Sequence, residues 1–474
     1  MSGPLLSLYH RLPGPLRSAA ATLRGAYLRH WRYGAASEHL VSEALERDTW
    51  SPDRLRAWRD ERLAAVLHRA ATRVPYYREY WADRRRRGDT ASWEVLEHWP
   101  LVEKDALRAA PQAFVADDRD PRKMFHEQTS GTTGLPLHIW RTRETVTALY
   151  ALATARTRRW HDIPEGVAWA RIGGQLVTPA AQREPPFWVW NAAMRQLYLS
   201  AYHLAPDLLP HYLDALARYR VTYLAGYSSS LHALAQSALE TGRTDLRMTA
   251  AFTNAEPLTE DQRRNIGAAF HCAARETYGM AETVAAASEC PAGRMHQWPE
   301  VGHFEVIDED GGPADQETTG ELVCTGLLNA DMPLIRYRVG DRGRLGDQTP
   351  CPCGRTLPHL AAVEGRTTDV LYTEDGRRVF WLNPVFYGLP VRESQIVQES
   401  LRRVRVFVAP APGFGTEHRT AVTMRLRERL GPVDVRVDLV DSVPRSANAK
   451  VRAVVCQIQP SEREAVLRRA TVGV

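Results

Sequence analysis

The sequence has no long apolar run, little cysteine and almost no lysine. A membrane-spanning helix needs roughly 20 consecutive apolar residues, and no stretch approaches that length, which excludes a transmembrane span. Six cysteines in a long chain without an export signal argue against a disulfide-stapled secreted scaffold. Lysine occurs only at Lys104, Lys123 and Lys450, although the chain contains 61 basic residues. A lysine retained in so arginine-rich a chain indicates a need for a compact, flexible point charge.

The charge distribution does not favour nucleic-acid binding. The net charge is only +5, and 56 acidic residues are interspersed with the basic ones. We interpret the basic run Arg84–Arg87 as a solvated helix end because no nucleic-acid recognition module accompanies it.

The first 37 residues contain no acidic residue. This composition resembles a transit peptide, and the structural alternative is a helical arm that docks on the main domain. Because arginine replaces lysine almost throughout the chain, we favour an ordered arm on a cytoplasmic protein. The arginines of this segment are Arg11, Arg17, Arg24, Arg29 and Arg32.

The hydrophobic patterning predicts an α/β fold. At 474 residues the chain is long enough for two or three domains. Residues 53–83 have helical spacing that Pro75 interrupts, and over 145–240 helical segments alternate with short β-like runs. Val221–Leu224 and 249–253 have the pattern of buried strands. This alternation predicts a layered domain with a largely parallel sheet.

The hydrophobic pattern of the sequence changes in the last third of the chain. Short strand-like runs predict a β-rich subdomain over about 286–360, and another α/β segment follows Gly365. We therefore expect a large N-terminal domain over 1–365, with a helical arm over 1–80, and a small mobile α+β lid over 366–474. The strand-like runs are Phe304–Asp308, Gly320–Thr325, Leu334–Arg338, Val404–Val408 and Val433–Leu439.

A segment rich in glycine and hydroxyl groups at 129–136 has the composition of a phosphate-binding loop. Gly131 and Gly134 let the backbone turn tightly and present N–H groups to phosphate oxygens. The side-chain hydroxyls add neutral donors and oxygen ligands for Mg2+. The segment is not a Walker A loop because no Gly-Lys-Ser/Thr follows. The hydroxyl-bearing residues are Thr129, Ser130, Thr132 and Thr133.

Further motifs follow this loop in order. They are Asn254-Ala255-Glu256-Pro257, Tyr278-Gly279-Met280-Ala281-Glu282, Arg336-Tyr337-Arg338-Val339-Gly340-Asp341, Gly365-Arg366 and Pro444-Arg445-Ser446-Ala447-Asn448-Ala449-Lys450. Together they closely resemble the adenylate-forming superfamily of acyl-CoA synthetases, and within it the phenylacetate–CoA ligase branch. The resemblance covers roughly residues 55–460. Any single motif is common, but the ordered combination is highly specific.

The resemblance implies that these motifs bind ATP. The 129–134 loop would hold the β and γ phosphates, with Thr132 among the catalytic residues. Tyr278 would stack on adenine and Asp341 would accept hydrogen bonds from the ribose hydroxyls. Glu282 would help bind Mg2+, which neutralises charge as pyrophosphate leaves. The other residues expected to bind the nucleotide are Asn254, Ala255, Glu256, Pro257, Gly279 and Arg366.

Lys450 is the residue to which the resemblance assigns the central catalytic role. It would bridge the carboxylate and the α-phosphate and stabilise the charge of the adenylation transition state. The chain departs from the family pattern at two nearby positions. Ala449 replaces the usual glycine before the lysine, and Thr368, with Asp369 after it, occupies the acidic hinge position. Both departures could alter the domain rotation between half-reactions, but neither removes a charged group that adenylation needs.

Three cysteines and one histidine predict a structural zinc site. Cys290 and His296 are close in sequence, and Cys351-Pro352-Cys353 forms a short knuckle that suits a metal-binding turn. Three thiolates and one imidazole suit four-coordinate Zn2+ and leave no open position for a substrate. His303 is the main alternative to His296.

The substrate acid and the acyl acceptor are less well defined by the sequence. An aromatic run over 186–203 either lines an aryl pocket or belongs to the core, and Tyr227 could border the acid site. The resemblance implies an aryl or otherwise compact acid and coenzyme A as acceptor, with an amine or a carrier-protein thiol as alternatives. A non-catalytic nucleotide-binding protein is the competing class, and the oligomeric state, a homodimer included, stays open. The aromatic residues of the run are Phe187, Trp188, Trp190, Tyr198 and Tyr202.

Overall fold

A computed structural model gives the fold over most of the chain. The protein has a mixed α/β fold, in which α-helices alternate with the strands of its sheets. In the part of the chain that it describes, no helix is long and apolar enough to cross a membrane. The described residues are 8–128, 137–179, 182, 184–204, 207–308, 310–315, 317–366, 371–374, 378–379, 382, 385–386, 389–445, 451–459, 461–463 and 466.

The regular elements are numbered in chain order. The main helices are α1 (Gly14–Arg32), α2 (Ala35–Arg47), α3 (Pro52–Arg73), α4 (Pro75–Arg86), α5 (Lys104–Ala109), α6 (Arg143–Ala153), α7 (Leu209–Arg218), α8 (Ser228–Glu240), α9 (Glu260–Phe270) and α10 (Thr416–Leu430). The first strands are β1 (Phe125–Gln128), β2 (His138–Arg141), β3 (Trp169–Gly173), β4 (Trp188–Asn191), β5 (Gln196–Ser200), β6 (Tyr223–Tyr227), β7 (Ala250–Asn254) and β8 (Ala273–Gly279). The later strands are β9 (Ala286–Glu289), β10 (Met295–Gln297), β11 (Gly302–Ile307), β12 (Gly320–Gly326), β13 (Tyr337–Leu345), β14 (His359–Arg366), β15 (Leu371–Tyr372), β16 (Arg378–Val379), β17 (Val391–Ser400), β18 (Arg403–Pro410), β19 (Asp434–Leu439) and β20 (Val454–Cys456).

The N-terminal arm is helical and docks on the main sheet. A Cβ atom on Gly25 of α1 would lie only 2.1 Å from Asn191 Oδ1 on β4, so glycine permits a close helix–strand approach. The buried Arg17 donates a 2.5 Å hydrogen bond to Thr178 Oγ1. Farther along, the predicted helix over 53–83 is two helices, α3 and α4, because the ring of Pro75 and its missing N–H break the helical ladder.

A twelve-stranded sheet forms the centre of the molecule. Its order is β11-β12-β13-β14-β10-β9-β8-β7-β6-β3-β5-β4. Neighbouring strands from β5 through β3, β6 and β7 to β8 pair in parallel, as the alternation of helices and strands predicts. One large core lies between these strands and helices such as α7, α8 and α9. The parallel strands place their carboxyl ends along one edge, where ligands of open α/β sheets bind.

The predicted β-rich subdomain is continuous with this sheet. Strand β8 pairs in parallel with β7 and antiparallel with β9, so it joins the two parts. The strand predicted over Leu334–Arg338 is wrong at its start, since β13 begins at Tyr337. Arg336 has a positive φ of 46°, a left-handed conformation that a strand does not accommodate.

The C-terminal part has its own small sheet, in the order β19-β18-β17-β20, packed against α10. Strands β18 and β19 correspond to the runs predicted over 404–408 and 433–439. A separate hydrophobic core holds these elements together, with members such as Ile396, Val406 and Leu426. The position of a domain boundary near 365 stays a prediction.

Candidate active site

A cavity of about 2120 Å³ opens at the carboxyl edge of the parallel strands. Its wall includes residues of three of the sequence motifs, on β7 and the turn after it, on β8 and the turn after it, and on β13. The motif residues in the wall are Asn254, Ala255, Glu256, Pro257, Tyr278, Gly279, Met280, Ala281, Glu282, Arg338, Val339, Gly340 and Asp341. The fold therefore gathers motifs that are up to about ninety residues apart in the sequence.

Tyr278 and Asp341 are in direct contact in this cavity. The tyrosine hydroxyl donates a hydrogen bond of 2.8 Å to Asp341 Oδ2. Burial, together with the neighbouring carboxylate, holds the pKa of Tyr278 well above its usual range, so the hydroxyl stays protonated and acts as a donor. The bond fixes the ring of Tyr278 beside a carboxylate that keeps further lone pairs for another donor.

Glu282 is nearly buried, with 9% of its surface exposed. Its Oε1 accepts a 3.1 Å hydrogen bond from the hydroxyl of Tyr337 at the start of β13. The turn that carries Glu282 is held by Arg141, which donates to the Ala281 carbonyl at 3.0 Å and to Thr283 Oγ1 at 2.7 Å. Sequence reasoning missed Arg141. Its only signal is its place at the end of β2, the strand after the glycine-rich segment.

The Asn254–Pro257 motif forms a left-handed turn after β7, with a φ of 61° at Ala255. Glu256 accepts the backbone N–H of Ser229 at 3.0 Å and that of Val451 at 2.9 Å. Ser228 Oγ donates to the Glu256 carbonyl at 2.8 Å. The carboxylate thus bridges the first turn of α8 and the segment that follows Lys450.

Some of the predicted site residues lie outside the described part of the chain. Arg366 ends β14 and pairs in register with Asp341, which places its backbone beside the ribose-binding candidate. The predicted residues outside the described part are Thr129, Ser130, Gly131, Thr132, Thr133, Gly134, Thr368, Asp369, Ala449 and Lys450.

The four predicted zinc ligands come together in one cluster. The ligand atoms of Cys290, His296, Cys351 and Cys353 all lie within 4.8 Å of one another. The Sγ atoms of Cys290 and Cys351 are 3.7 Å apart, and Cys353 Sγ is 3.5 Å from His296 Nε2. The alternative ligand, His303, lies on β11 opposite Thr325 and is not a member of the cluster.

A contact with the backbone orients the histidine of the cluster. His296 Nδ1 lies 2.9 Å from the Leu357 carbonyl, so Nε2 points toward the thiols. Burial lowers the pKa of His296 to about 4, so the imidazole is neutral and can donate a lone pair to a metal.

The aromatic run over 186–203 belongs mostly to the core. Phe187 is fully buried and stacks on Tyr212, and Trp190 stacks on Tyr219 of α7's C-terminal end. Only Tyr198 of the five aromatic residues borders the cavity, where Tyr227 joins it. The alternative of an aryl pocket built from the whole run is therefore wrong. Strand alternation places Trp188 and Trp190 on the helix-covered face and Tyr198 on the opposite face.

Two parts of the chain match known protein families. Residues 57–331 match the AMP-binding enzyme family, and residues 371–457 match the CapK C-terminal domain. Protein CapK of Staphylococcus aureus is 24% identical over 77% of this chain and 81% of its own length. A phenylacetate-coenzyme A ligase of Thermus thermophilus is 27% identical over 69% of this chain and 73% of its own length.

The fold also matches solved structures. The crystal structure of 2-hydroxyisobutyryl-CoA ligase in the postadenylation state superposes with a TM-score of 0.67 at 20% identity, over 90% of this chain and 94% of that one. At this identity the likeness concerns the fold alone. The match over residues 57–331 extends over more than half of the chain, and it assigns the family directly. The chain belongs to the AMP-binding enzyme family, within the adenylate-forming superfamily.

Proposed function

We propose that this protein is an AMP-forming acid ligase that activates a carboxylic acid with ATP and transfers the acyl group to coenzyme A. The observation that carries the proposal is the convergence of Tyr278, Asp341, Glu282 and Glu256 on one cavity at the carboxyl edge of the sheet. The curated relatives with a named activity are phenylacetate-coenzyme A ligases, which supports a thiol acceptor.

The proposed chemistry has two displacements. A carboxylate oxygen of the acid attacks the α-phosphorus of ATP, and the bond to pyrophosphate breaks to leave an acyl-AMP. The thiol sulfur of coenzyme A then attacks the acyl carbon, loses its proton, and AMP leaves. Tyr278 would stack on adenine while Asp341 accepts the ribose hydroxyls. Both roles need the ring and the carboxylate in a fixed relative position, which their 2.8 Å hydrogen bond provides.

Lys450 would supply the positive charge for the first displacement. Support comes from its covalent neighbour Val451, whose N–H binds Glu256 in the cavity wall. In this proposal the N-terminal domain over 1–365 holds ATP and acid. The lid over 366–474 brings Lys450 to the α-phosphate and then rotates for transfer.

Glu282 suits a magnesium site. Its Oε1 is engaged by Tyr337, and as a cavity-lining carboxylate it offers the hard oxygen ligand that Mg2+ prefers. When bound with ATP, Mg2+ would neutralise the charge of the departing pyrophosphate. The role of this chain is then to hold Glu282 in place through Tyr337 and Arg141.

The cluster of Cys290, His296, Cys351 and Cys353 suits structural zinc. Zn–S bonds of about 2.3 Å in a tetrahedron place sulfurs about 3.8 Å apart, close to the 3.7 Å between Cys290 and Cys351. The hydrogen bond from His296 to the Leu357 carbonyl is the usual second-shell support for a ligating imidazole. Zinc would staple the β9–β10 turn to the loop before β14.

Two assays distinguish the three candidate acyl acceptors from one another and an enzyme from a non-catalytic nucleotide-binding protein. ATP–pyrophosphate exchange with a panel of aryl and short aliphatic acids tests adenylation, and exchange with at least one acid is the expected result. Trials of coenzyme A, amines and a phosphopantetheinyl carrier protein on the best acid then identify the acceptor, which we expect to be coenzyme A. Tight nucleotide binding without exchange for any acid would instead favour a non-catalytic protein.

A further inference from the structure

We propose that the acid substrate carries a second anionic group, such as a second carboxylate, and that Arg171 binds it. This inference rests on the proposed function and specifies the substrate class of the same site. It makes Arg171 the residue that sets specificity for the acid.

Arg171 occupies an unusual place for a charged residue. It is the middle residue of β3, which lies between β5 and β6 inside the parallel sheet. Its neighbours Ala170 and Ile172 are each 1% exposed and pack in the core on the other face. Arg171 is exposed and lines the cavity. Central parallel strands are normally apolar on both faces, so an arginine here indicates a function in the cavity.

The guanidinium of Arg171 has no carboxylate partner among the residues that the structure describes. Two other arginines of the same cavity are neutralised. Arg141 pairs with Glu127, and Arg338 pairs with Glu103 and Glu321. Arg171 therefore presents a positive charge, not neutralised by any described carboxylate, to whatever fills this end of the cavity, where an anionic group can accept charge-assisted hydrogen bonds from it.

The surroundings of Arg171 are polar and positively charged. Tyr198 stands beside it on β5, in register, and its hydroxyl lies 2.8 Å from where a Cβ on Gly173 would be. Tyr33, the residue after α1, lies within electrostatic range of the same arginine. Burial raises the pKa of Tyr33, while the positive charges of Arg158, Arg32 and Arg171 oppose that effect. Phenol hydroxyls and guanidinium groups favour an anionic ligand over an unsubstituted aryl ring.

The strand order separates this end of the cavity from the nucleotide end. Asn254 ends β7, and β6 lies between β7 and β3. Two strand spacings correspond to about 10 Å. An acid activated near the Asn254–Pro257 turn can therefore reach Arg171 with its far end, whereas Arg171 is poorly placed to hold the carboxylate that is activated.

Matched pairs of acids test the inference. The pairs are phenylacetate with 4-carboxyphenylacetate and hexanoate with adipate, compared by kcat/KM in ATP–pyrophosphate exchange. We expect the wild-type protein to prefer the diacid of at least one pair by about tenfold or more. Arg171→Met should lower kcat/KM for that diacid by about 10- to 100-fold, the size expected for a charge-assisted hydrogen bond, and leave the monoacid unchanged. Arg247→Met is the matched control, because Arg247 is exposed and lies outside the cavity wall.

A charge-reversal variant distinguishes a specific effect on the substrate from a general loss of folding or activity. Arg171→Glu should gain activity with 4-(aminomethyl)phenylacetate relative to 4-carboxyphenylacetate, and thermal midpoints of all variants identify any that fail to fold. A wild-type preference for the monoacids, or an equal loss for both acids in Arg171→Met, overturns the inference while the proposed function stands. Absence of exchange with every acid contradicts the proposed function itself, and the inference fails with it.

Discussion

The backbone N–H of Val451 donates a 2.9 Å hydrogen bond to Glu256 Oε1, across 195 positions of sequence. The other oxygen of that carboxylate accepts the N–H of Ser229 at the first turn of α8. Glu256 thus connects the residue after Lys450 to the turn at the end of β7. In the proposed enzyme this contact is part of the lid position in which adenylation occurs.

Replacing Glu256 should impair adenylation more than folding. Glu256→Ala removes both acceptors, so we expect a fall in ATP–pyrophosphate exchange of about tenfold, the cost of roughly one charge-assisted hydrogen bond. Thermal midpoints of the variant and the wild type separate this effect from a loss of folding. Glu260→Ala, at the exposed start of α9, is the control. Unchanged exchange in Glu256→Ala would argue against a catalytic role for the contact.

The thiol cluster predicts about one zinc per chain. Elemental analysis of protein purified without added metal should find it, and Cys351→Ser should lower both zinc content and the thermal midpoint. Cys272→Ser is the matched control, since Cys272 lies outside the cluster. Wild-type protein that contains no metal, together with a Cys351→Ser variant whose thermal midpoint is unchanged, would contradict a structural zinc site.

Glu276 should make stability depend on pH in an unusual direction. Burial raises the pKa of Glu276 from 4.5 to about 7, with a contribution from the neighbouring Glu289 carboxylate. The native state therefore holds this proton more tightly than the unfolded state. The resulting stability is complete below pH 4.5 and is lost as the pH rises through about 7.

Glu276→Gln mimics the protonated form and keeps an acceptor for the N–H of Leu258. We expect this variant to be more stable than the wild type at pH 8, by at most about 3 kcal/mol, and to differ little at pH 5. Thermal melts at the two pH values measure this, with Glu260→Gln as the control. A stability difference that is the same at both pH values would show that Glu276 titrates normally.

A buried ion network fastens the arm to the main domain. Arg156 is fully buried and binds Asp48 Oδ1 at 3.0 Å and Glu300 Oε1 at 2.8 Å. Arg156→Met should lower the free energy of unfolding by about 3–5 kcal/mol, because it leaves two buried carboxylates without their main partner. Urea titration followed by tryptophan fluorescence measures the loss.

Arg159→Met removes a more exposed cation that pairs with Glu38 and Glu165, and it should cost less than about 1 kcal/mol. If the two variants were equally stable, the network around Arg156 would not be what holds the arm in place.

Much of the fold follows from local sequence patterns. The alternation of helical and β-like runs predicts the parallel strands, and the motifs at Asn254 and Tyr278 lie at or just after strands β7 and β8, where ligand sites of parallel sheets occur. The set of three cysteines and one histidine could be predicted from residue type and spacing, and the structure brings all four side chains together. These features depend on short segments, which a single sequence records directly.

Contacts between distant segments could not be predicted in the same way. The continuity of the sheet depends on β8 pairing on both sides, and nothing local in 273–279 indicates a second partner. The role of Arg141 at the Glu282 turn joins positions about 140 residues apart. The sequence alone also does not show that Arg171 on β3 faces the cavity, because this depends on the order of the strands in the sheet.

The most direct test of the account is exchange activity in lysine variants. The chain has only three lysines, so Lys450→Ala and Lys123→Ala form a natural pair, in which Lys123 is exposed and lies outside the cavity wall. With the best acid, Lys450→Ala should retain the wild-type thermal midpoint but lose ATP–pyrophosphate exchange by about a hundredfold or more. Lys123→Ala should be fully active. Near-normal exchange in folded Lys450→Ala would contradict the central claim that this amine stabilises the adenylation transition state.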